Sequence, residues 1–165
     1  MKTHFKKKYY QATLETPICP MVAIADEQYL YRLDFADKHI AQNAIDKKVA
    51  PIESIEQELA LYFSGQLKKF DTPLKLQGTD FQQQVWRALQ TIPFGETWSY
   101  LQLANAVNLP TAYRAVANAN GKNPLSIIIP CHRVINHNGK LGGYTGGLNR
   151  KIALLKHEGI NDEKF

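Results

Sequence analysis

Cysteine, histidine and arginine stand side by side at Cys131-His132-Arg133, directly after Pro130 and the apolar run Ile127-Ile128-Ile129. A cysteine attacks as its thiolate, and a neighbouring imidazole or guanidinium favours that form. Three β-branched residues read as a short buried segment, and the proline ends it. The pattern therefore holds a nucleophile at the end of a rigid element in positive surroundings. A buried structural cysteine fits the same residues, because apolar burial raises a thiol pKa while local positive charge lowers it.

The charge around this segment is one-signed. Between Phe81 and His157 stand Arg87, Arg114, Lys122, Arg133, Lys140, Arg150, Lys151 and Lys156, with Glu96 as the only acid. Upstream of Phe81 the two signs nearly balance. A one-signed half points to a polyanion, and nucleic acid is the usual one.

Composition bounds the rest. A chain of 165 residues with 44% hydrophobic residues can bury a core, as one domain or two small ones. No stretch has the length of an apolar membrane span. The basic N-terminus runs into Tyr9-Tyr10-Gln11 instead of an apolar signal core, so the reading is cytoplasmic, with no membrane partner. Cys19 and Cys131 are too few for a disulfide framework. Cys19, His4 and His39 do not make a four-ligand zinc site, and no metal is expected. Cys19 reads as a core residue.

Two regions must position the cysteine. Residues 1–76 open with strand-like runs at Tyr10–Glu15, Ile18–Ala25 and Gln28–Phe35, broken by Pro17 and Asp26-Glu27, which predicts a three-stranded antiparallel meander. Ser54-Ile55-Glu56-Gln57 reads as a capping box, and Ile52, Ile55, Leu59 and Phe63 keep helical spacing up to Gly65. An extended connector around Asp71-Thr72-Pro73 leads to a boundary near Leu76. Residues 77–165 read as mainly helical. Thr79-Asp80-Phe81-Gln82 and Ser99-Tyr100-Leu101-Gln102 are two further capping boxes. Thr111 is placed to cap a helix over Ala112–Ala119, and the pair of short helices fits a helix-turn-helix. Glycines 139, 142, 143, 146 and 147 crowd a loop around Tyr144, and Asn149 is placed to cap a last helix ending at Gly159. The fold class is α+β.

Phe81–Gly159 resembles the O6-alkylguanine-DNA alkyltransferases, also called methylated-DNA–protein-cysteine methyltransferases. Pro130-Cys131-His132-Arg133-Val134 carries the likeness, with Pro93-Phe94-Gly95-Glu96-Thr97, Ser99-Tyr100, Arg114-Ala115-Val116, Asn123-Pro124, Gly143-Tyr144-Thr145-Gly146-Gly147 and His157-Glu158-Gly159 in the family's order. The strand-then-helix order of the first part fits the family's ribonuclease-H-like domain. The second part would be winged-helix or helix-turn-helix-like and would carry the active cysteine.

The resemblance implies direct reversal of DNA damage. Cys131 would take the alkyl group from guanine O6 irreversibly, once per molecule, with no cofactor. His132 would act on the thiol through a water, and Glu158 would orient His132. Tyr100 would assist protonation of the leaving guanine and crowd the phosphate that rotates as the base flips. Arg114 would enter the stack in place of the flipped base. Ala115 and its small neighbours would approach a minor groove about 6 Å wide, and Lys122 would meet the DNA backbone. Asn123 would brace the hinge before the cysteine segment. Val134, Tyr144 and Thr145 would form the alkylguanine pocket. The partner is alkylated double-stranded DNA, met by a monomer, and O4-methylthymine stays open as a second substrate. Asn118, Asn120, Gly121 and Ser126 depart from residues that some relatives carry there. Two other classes fit parts of the pattern: a module that binds alkylated bases without repairing them, and a cysteine hydrolase. The first lacks the cysteine in its known form; the second needs an oxyanion hole that no residue here identifies.

Overall fold

The computed structural model describes residues 7–38 and 43–161. His4, His39 and the basic residues before Lys7 lie outside them. The chain divides into two compact units, Met1–Lys75 and Leu76–Phe165.

The first unit is built on three antiparallel strands, β1 (Tyr10–Leu14), β2 (Met21–Ala25) and β3 (Leu30–Phe35). All five residues of β2 are buried, as an apolar run in a central strand should be. The expected three-stranded sheet is nevertheless four-stranded, in the order β3-β2-β1-β4. The added strand β4 (Ile45–Asp46) pairs parallel to β1, Tyr10 opposite Ile45. Two exposed residues carry no alternating pattern, so the sequence gives no sign of it.

Helix α1 (Ala50–Phe63) contributes Ile52, Ile55, Leu59 and Tyr62 to this core. It begins earlier than the Ser54 capping box. Pro51 in the first turn has its φ fixed for helix entry. Ser54 lies inside the helix, and its hydroxyl bonds that of Thr72 at 2.8 Å. Gly65, at φ 78°, ends the helix as expected, with Gln66 N–H returning to Leu61 O at 2.8 Å. Cys19 is half-buried in the loop before β2, outside the core, where its carbonyl accepts the Thr16 hydroxyl at 2.7 Å.

The second unit holds α2 (Asp80–Leu89), β5 (Trp98–Ser99), α3 (Tyr100–Ala106), α4 (Tyr113–Gly121), β6 (Val134–Ile135) and α5 (Leu148–His157). Both capping boxes form in full: Thr79 with Gln82 starts α2, and Ser99 with Gln102 starts α3. Val85, Trp86 and Leu89 bury one face of α2. The Trp86 indole N–H donates to Ala119 O at 2.9 Å, fixing α2 to α4. Thr111 does not cap α4. Pro110 starts a 3-10 turn, Pro110–Ala112, which runs straight into the helix and leaves Thr111 inside it. Asn149 likewise falls inside α5, whose cap position is Gly147 at φ 93°. Val134 and Ile135 pair parallel with Trp98 and Ser99. This two-residue ladder carries the start of α3 to the cysteine segment.

Candidate active site

The segment before the cysteine is buried but is not a strand. Ile128 N–H bonds Ser126 O at 2.9 Å, Ile129 N–H bonds Leu125 O at 2.9 Å, and Cys131 N–H bonds Ile129 O at 2.8 Å. Ile127 sits at φ 72° and is 1% exposed. A β-branched residue in the left-handed region is strained by roughly 1–3 kcal/mol, a cost that packing must offset. The chain is thus coiled tightly enough to present Cys131 at the first position of a 3-10 helix, Cys131–Arg133.

Asn123 holds this coil together. Its side-chain N–H donates to Ile129 O at 2.6 Å and to Cys131 Sγ at 3.1 Å, and its Oδ1 accepts Leu125 N–H at 2.9 Å. The residue expected as a hinge therefore also touches the sulfur, a contact that sequence spacing did not reveal.

Burial pushes the Cys131 thiol pKa up, and that cause outweighs the opposing ones. Opposing it are the Asn123 hydrogen bond, the charge of Lys151, the backbone N–H of Cys131 itself and the Tyr144 hydroxyl. Arg133 is not among them. The expectation that the adjacent guanidinium favours the thiolate fails, because its charge is engaged elsewhere. Its Nε and Nη2 donate to both oxygens of Glu158, at 2.8 and 2.9 Å, and Nη1 donates to Ile92 O at 2.6 Å. Such a two-pronged pair is the strong form of the arginine–carboxylate bond.

Glu158 binds His132 as well, Oε1 to Nε2 at 2.8 Å, and both side chains are fully buried. Burial alone would raise the Glu158 carboxyl, but the hydrogen bonds from His132 and Arg133 and the Arg133 charge hold it well below the usual carboxylate range. Burial, joined by the positive charges of Arg133 and Lys151, lowers the His132 pKa more than Glu158 raises it, so the ring is neutral at pH 7. A neutral imidazole beside a carboxylate donates its Nε2–H, which leaves Nδ1 as a base. Among the described residues Nδ1 has no hydrogen-bond partner. The arrangement is a nucleophile next to a base whose tautomer is set by a third group.

Two tyrosines complete the surroundings. Tyr100, the first residue of α3, is half-buried; burial raises its hydroxyl pKa, and the charge of Cys131 adds to the shift. Tyr144 is half-buried in the glycine loop. Thr145 is exposed, and its hydroxyl donates to Gly121 O at 2.8 Å, tying that loop to the end of α4. Val134 is buried, and its carbonyl accepts from the Lys151 ammonium at 2.6 Å.

Three of the four DNA-binding candidates lie together on another groove, and Tyr100 is not among them. Arg114, Ala115 and Lys122 are exposed on and just after α4 and share an open groove of about 450 Å³ with Thr79, Phe81 and Gln82. The Arg114 guanidinium lies 5.8 Å from the centre of the exposed Tyr113 ring. Of the basic residues between Phe81 and His157, Arg133 and Lys151 are buried and turned inward. The surface charge of this half is correspondingly lower than the sequence count suggests.

Sequence reasoning missed Lys151 and the work of Arg133. One signal was available. Residues 151, 154, 155 and 158 repeat at helical spacing and form the buried side of α5 and its cap. A lysine and a glutamate in an apolar stripe mark an internal polar cluster.

Two family models match the chain. The DNA binding domain of 6-O-methylguanine DNA methyltransferase covers residues 80–160, and its ribonuclease-like domain covers residues 9–76. A methylated-DNA–protein-cysteine methyltransferase of Methanosarcina barkeri is 46% identical over 92% of this chain and 98% of its own length. One from Mycobacterium bovis is 45% identical over 88% of this chain and 90% of its own. The crystal structure of Mycobacterium tuberculosis OGT in complex with DNA superposes with a TM-score of 0.85 at 45% identity, covering 92% of each chain.

Proposed function

This chain belongs to the 6-O-methylguanine DNA methyltransferase family, and from that membership we propose that it repairs DNA by moving the alkyl group of O6-alkylguanine onto Cys131. The observation that supports Cys131 as the acceptor is the Asn123 contact to its Sγ, together with the His132–Glu158–Arg133 cluster that starts at the next residue. The sulfur is oriented by Asn123, and the next residue along the chain is a histidine whose Nδ1 is left as a base.

The step balances without a cofactor. The S–C bond forms as the C–O6 bond breaks, and the electron pair of that bond goes to the guanine. One proton leaves the Cys131 thiol, and one enters the departing base. His132 Nδ1 is the base for the first transfer, through a water. The Tyr100 hydroxyl is the donor for the second. The product is a thioether, a poor leaving group, and no second nucleophile stands by to remove the alkyl group. Each molecule therefore reacts once.

The substrate guanine is buried in duplex DNA and must leave the stack to reach Cys131, a residue only 7% exposed. Arg114 fills the place it leaves, with Ala115 allowing close approach to the minor groove and Lys122 meeting a phosphate. Val134, Tyr144 and the N–H of Thr145 line the pocket for the flipped base. Asn123 fixes the hinge between the α4 surface and the cysteine. A monomer suffices, since every group named comes from one chain.

The test is mass spectrometry after mixing the protein with a duplex containing one O6-methylguanine. The expected result is one methyl group on the Cys131 peptide, saturating at one per protein, with guanine restored. Cys131→Ser should abolish transfer and keep duplex binding. A folded, reduced protein that binds the lesion and stays unmodified would instead make this chain a damage-binding module.

A further inference from the structure

An aromatic ring stands beside the arginine that the proposed function sends into the DNA stack, and the reaction just described gives it no task. Tyr113 is the first residue of α4 and is 45% exposed. The Arg114 guanidinium lies 5.8 Å from the centre of its ring, within the range of a cation–π contact. Adjacent residues on a helix do not normally face each other, so this closeness needs the two side chains to lean together. Among the described residues no carboxylate pairs with Arg114. Arg114 lines the open groove on α4, and Tyr113 does not.

Folding alone gives little reason for this pair. The buried side of α4 is made by Val116, Ala119 and Asn120, and Tyr113 stays outside it. An arginine in the first turn of a helix meets the positive end of the helix dipole. A nearby acid would offset that cost, but it would neutralise the cation and repel DNA phosphates. The negative face of an aromatic ring offsets it without adding a net charge. A guanidinium is flat and stacks on aromatic faces, and a base pair offers the same kind of face. Leaving the ring for the DNA stack therefore exchanges one flat contact for another. An arginine already resting on a ring has also lost part of its rotamer freedom before the DNA arrives.

We propose that Tyr113 is a positioning residue for base extrusion: its ring holds the Arg114 guanidinium charged, flat and partly ordered at the start of α4, from where it enters the stack. The inference rests on the alkyl-transfer reading and on the stack-filling role of Arg114. In this scheme the ring acts only through Arg114. It sets how readily the duplex gives up its base, and it does not act on the sulfur.

The experiment uses Tyr113→Ala in the full chain, with single-turnover methyl transfer from O6-methylguanine placed in a duplex and in a single strand. A single strand has no duplex stack to fill. At saturating DNA the duplex rate should fall about two- to fivefold more than the single-strand rate, the size of an exposed cation–π contact. Tyr113→Phe keeps the ring and should recover the duplex rate. Tyr113→Leu keeps apolar bulk without the ring and should leave it low. In an Arg114→Ala background, Tyr113→Ala should cost nothing more on the duplex, because coupled residues do not add. A second readout follows extrusion without chemistry: the fluorescence of 2-aminopurine next to the lesion in a duplex bound by the Cys131→Ser chain. It rises as the lesion leaves the stack, and it should rise less when Tyr113→Ala is added. Equal losses on duplex and single strand, or a full additional loss in the Arg114→Ala background, overturn the proposal, since the ring would then act on the pocket or on the DNA directly. A wild-type protein that never takes the methyl group overturns the transfer reading instead, and the 2-aminopurine signal still reports on Tyr113.

Discussion

Glu158→Gln isolates what the buried carboxylate does. The substitution keeps the shape of the side chain but leaves the buried Arg133 side chain without an anion. It also weakens the acceptor for His132 Nε2–H and for the Gly95 N–H at 3.5 Å. Removing one partner of a buried pair costs about 3–5 kcal/mol. The retained amide oxygen can still accept from Arg133, so the lower end, about 3 kcal/mol, is expected. For a chain of this size that corresponds to a fall in melting temperature of roughly 6–12 °C.

The pH dependence carries the sharper test. The folded-state pKa of Glu158 lies below its ordinary 4.5. A depressed carboxyl contributes stability that is fully present above the unfolded pKa and is lost as pH falls toward the folded one. The gap between wild type and Glu158→Gln should therefore shrink as pH falls below about 4.5. Urea melts across that range measure it. Methyl transfer should slow as well, because His132 loses the charge that holds its ring and tautomer. A gap below about 1 kcal/mol, the worth of an exposed pair, or one that stays the same down to pH 3, would refute the reasoning.

Three further outcomes follow from the same contacts. Arg114→Ala should slow repair of a duplex lesion more than reaction with free O6-benzylguanine; equal losses in the two assays would remove its role in the stack. Asn123→Ala should raise the pH midpoint of Cys131 alkylation and destabilise by about 1–3 kcal/mol, the cost of leaving buried backbone groups unpaired, and an unmoved midpoint would deny the Sγ contact. Thr79→Ala should cost about 1 kcal/mol in a denaturant melt without altering transfer per folded molecule, since it removes only the α2 cap.

What the sequence made legible was local. The capping boxes at Thr79 and Ser99 are short-range patterns of side chain and backbone, and both form as written. The meander of β1, β2 and β3 follows from alternating runs and their breakers. The failures have a different scale. The Ser54 box was outcompeted by Pro51, whose fixed φ starts the helix a turn earlier. The strand β4 has two residues and depends on a partner far away in sequence. Ile127 looks like strand, yet it adopts φ 72° because Asn123 and the surrounding core impose a turn there. At the site, adjacency named Cys131, His132 and Arg133 but misjudged their relation. Whether Arg133 acts on the sulfur or on Glu158 is decided by a residue 25 positions on, and spacing along the chain cannot show that.

The correction to Arg133 also changes how the nucleophile works. A site that lowered the thiol pKa would hold a thiolate ready at all times, open to any oxidant or alkylating agent. Here burial raises that pKa, and the resting group is the thiol. This suits a reaction that consumes the protein, because a sulfur lost to a stray electrophile is a molecule lost to repair. It also suits the proton balance. The transfer takes one proton from sulfur and gives one to guanine, so no net charge needs to be held in the pocket before the base arrives. His132, neutral and with its Nε2–H fixed by Glu158, accepts the proton only when the alkyl carbon is in place to receive the sulfur's electrons. The consequence is measurable without DNA: Cys131 should react with iodoacetamide more slowly at pH 7 than an exposed cysteine of ordinary pKa. A burst of alkylation at neutral pH would mean that the thiolate is already present and that this order of events is wrong.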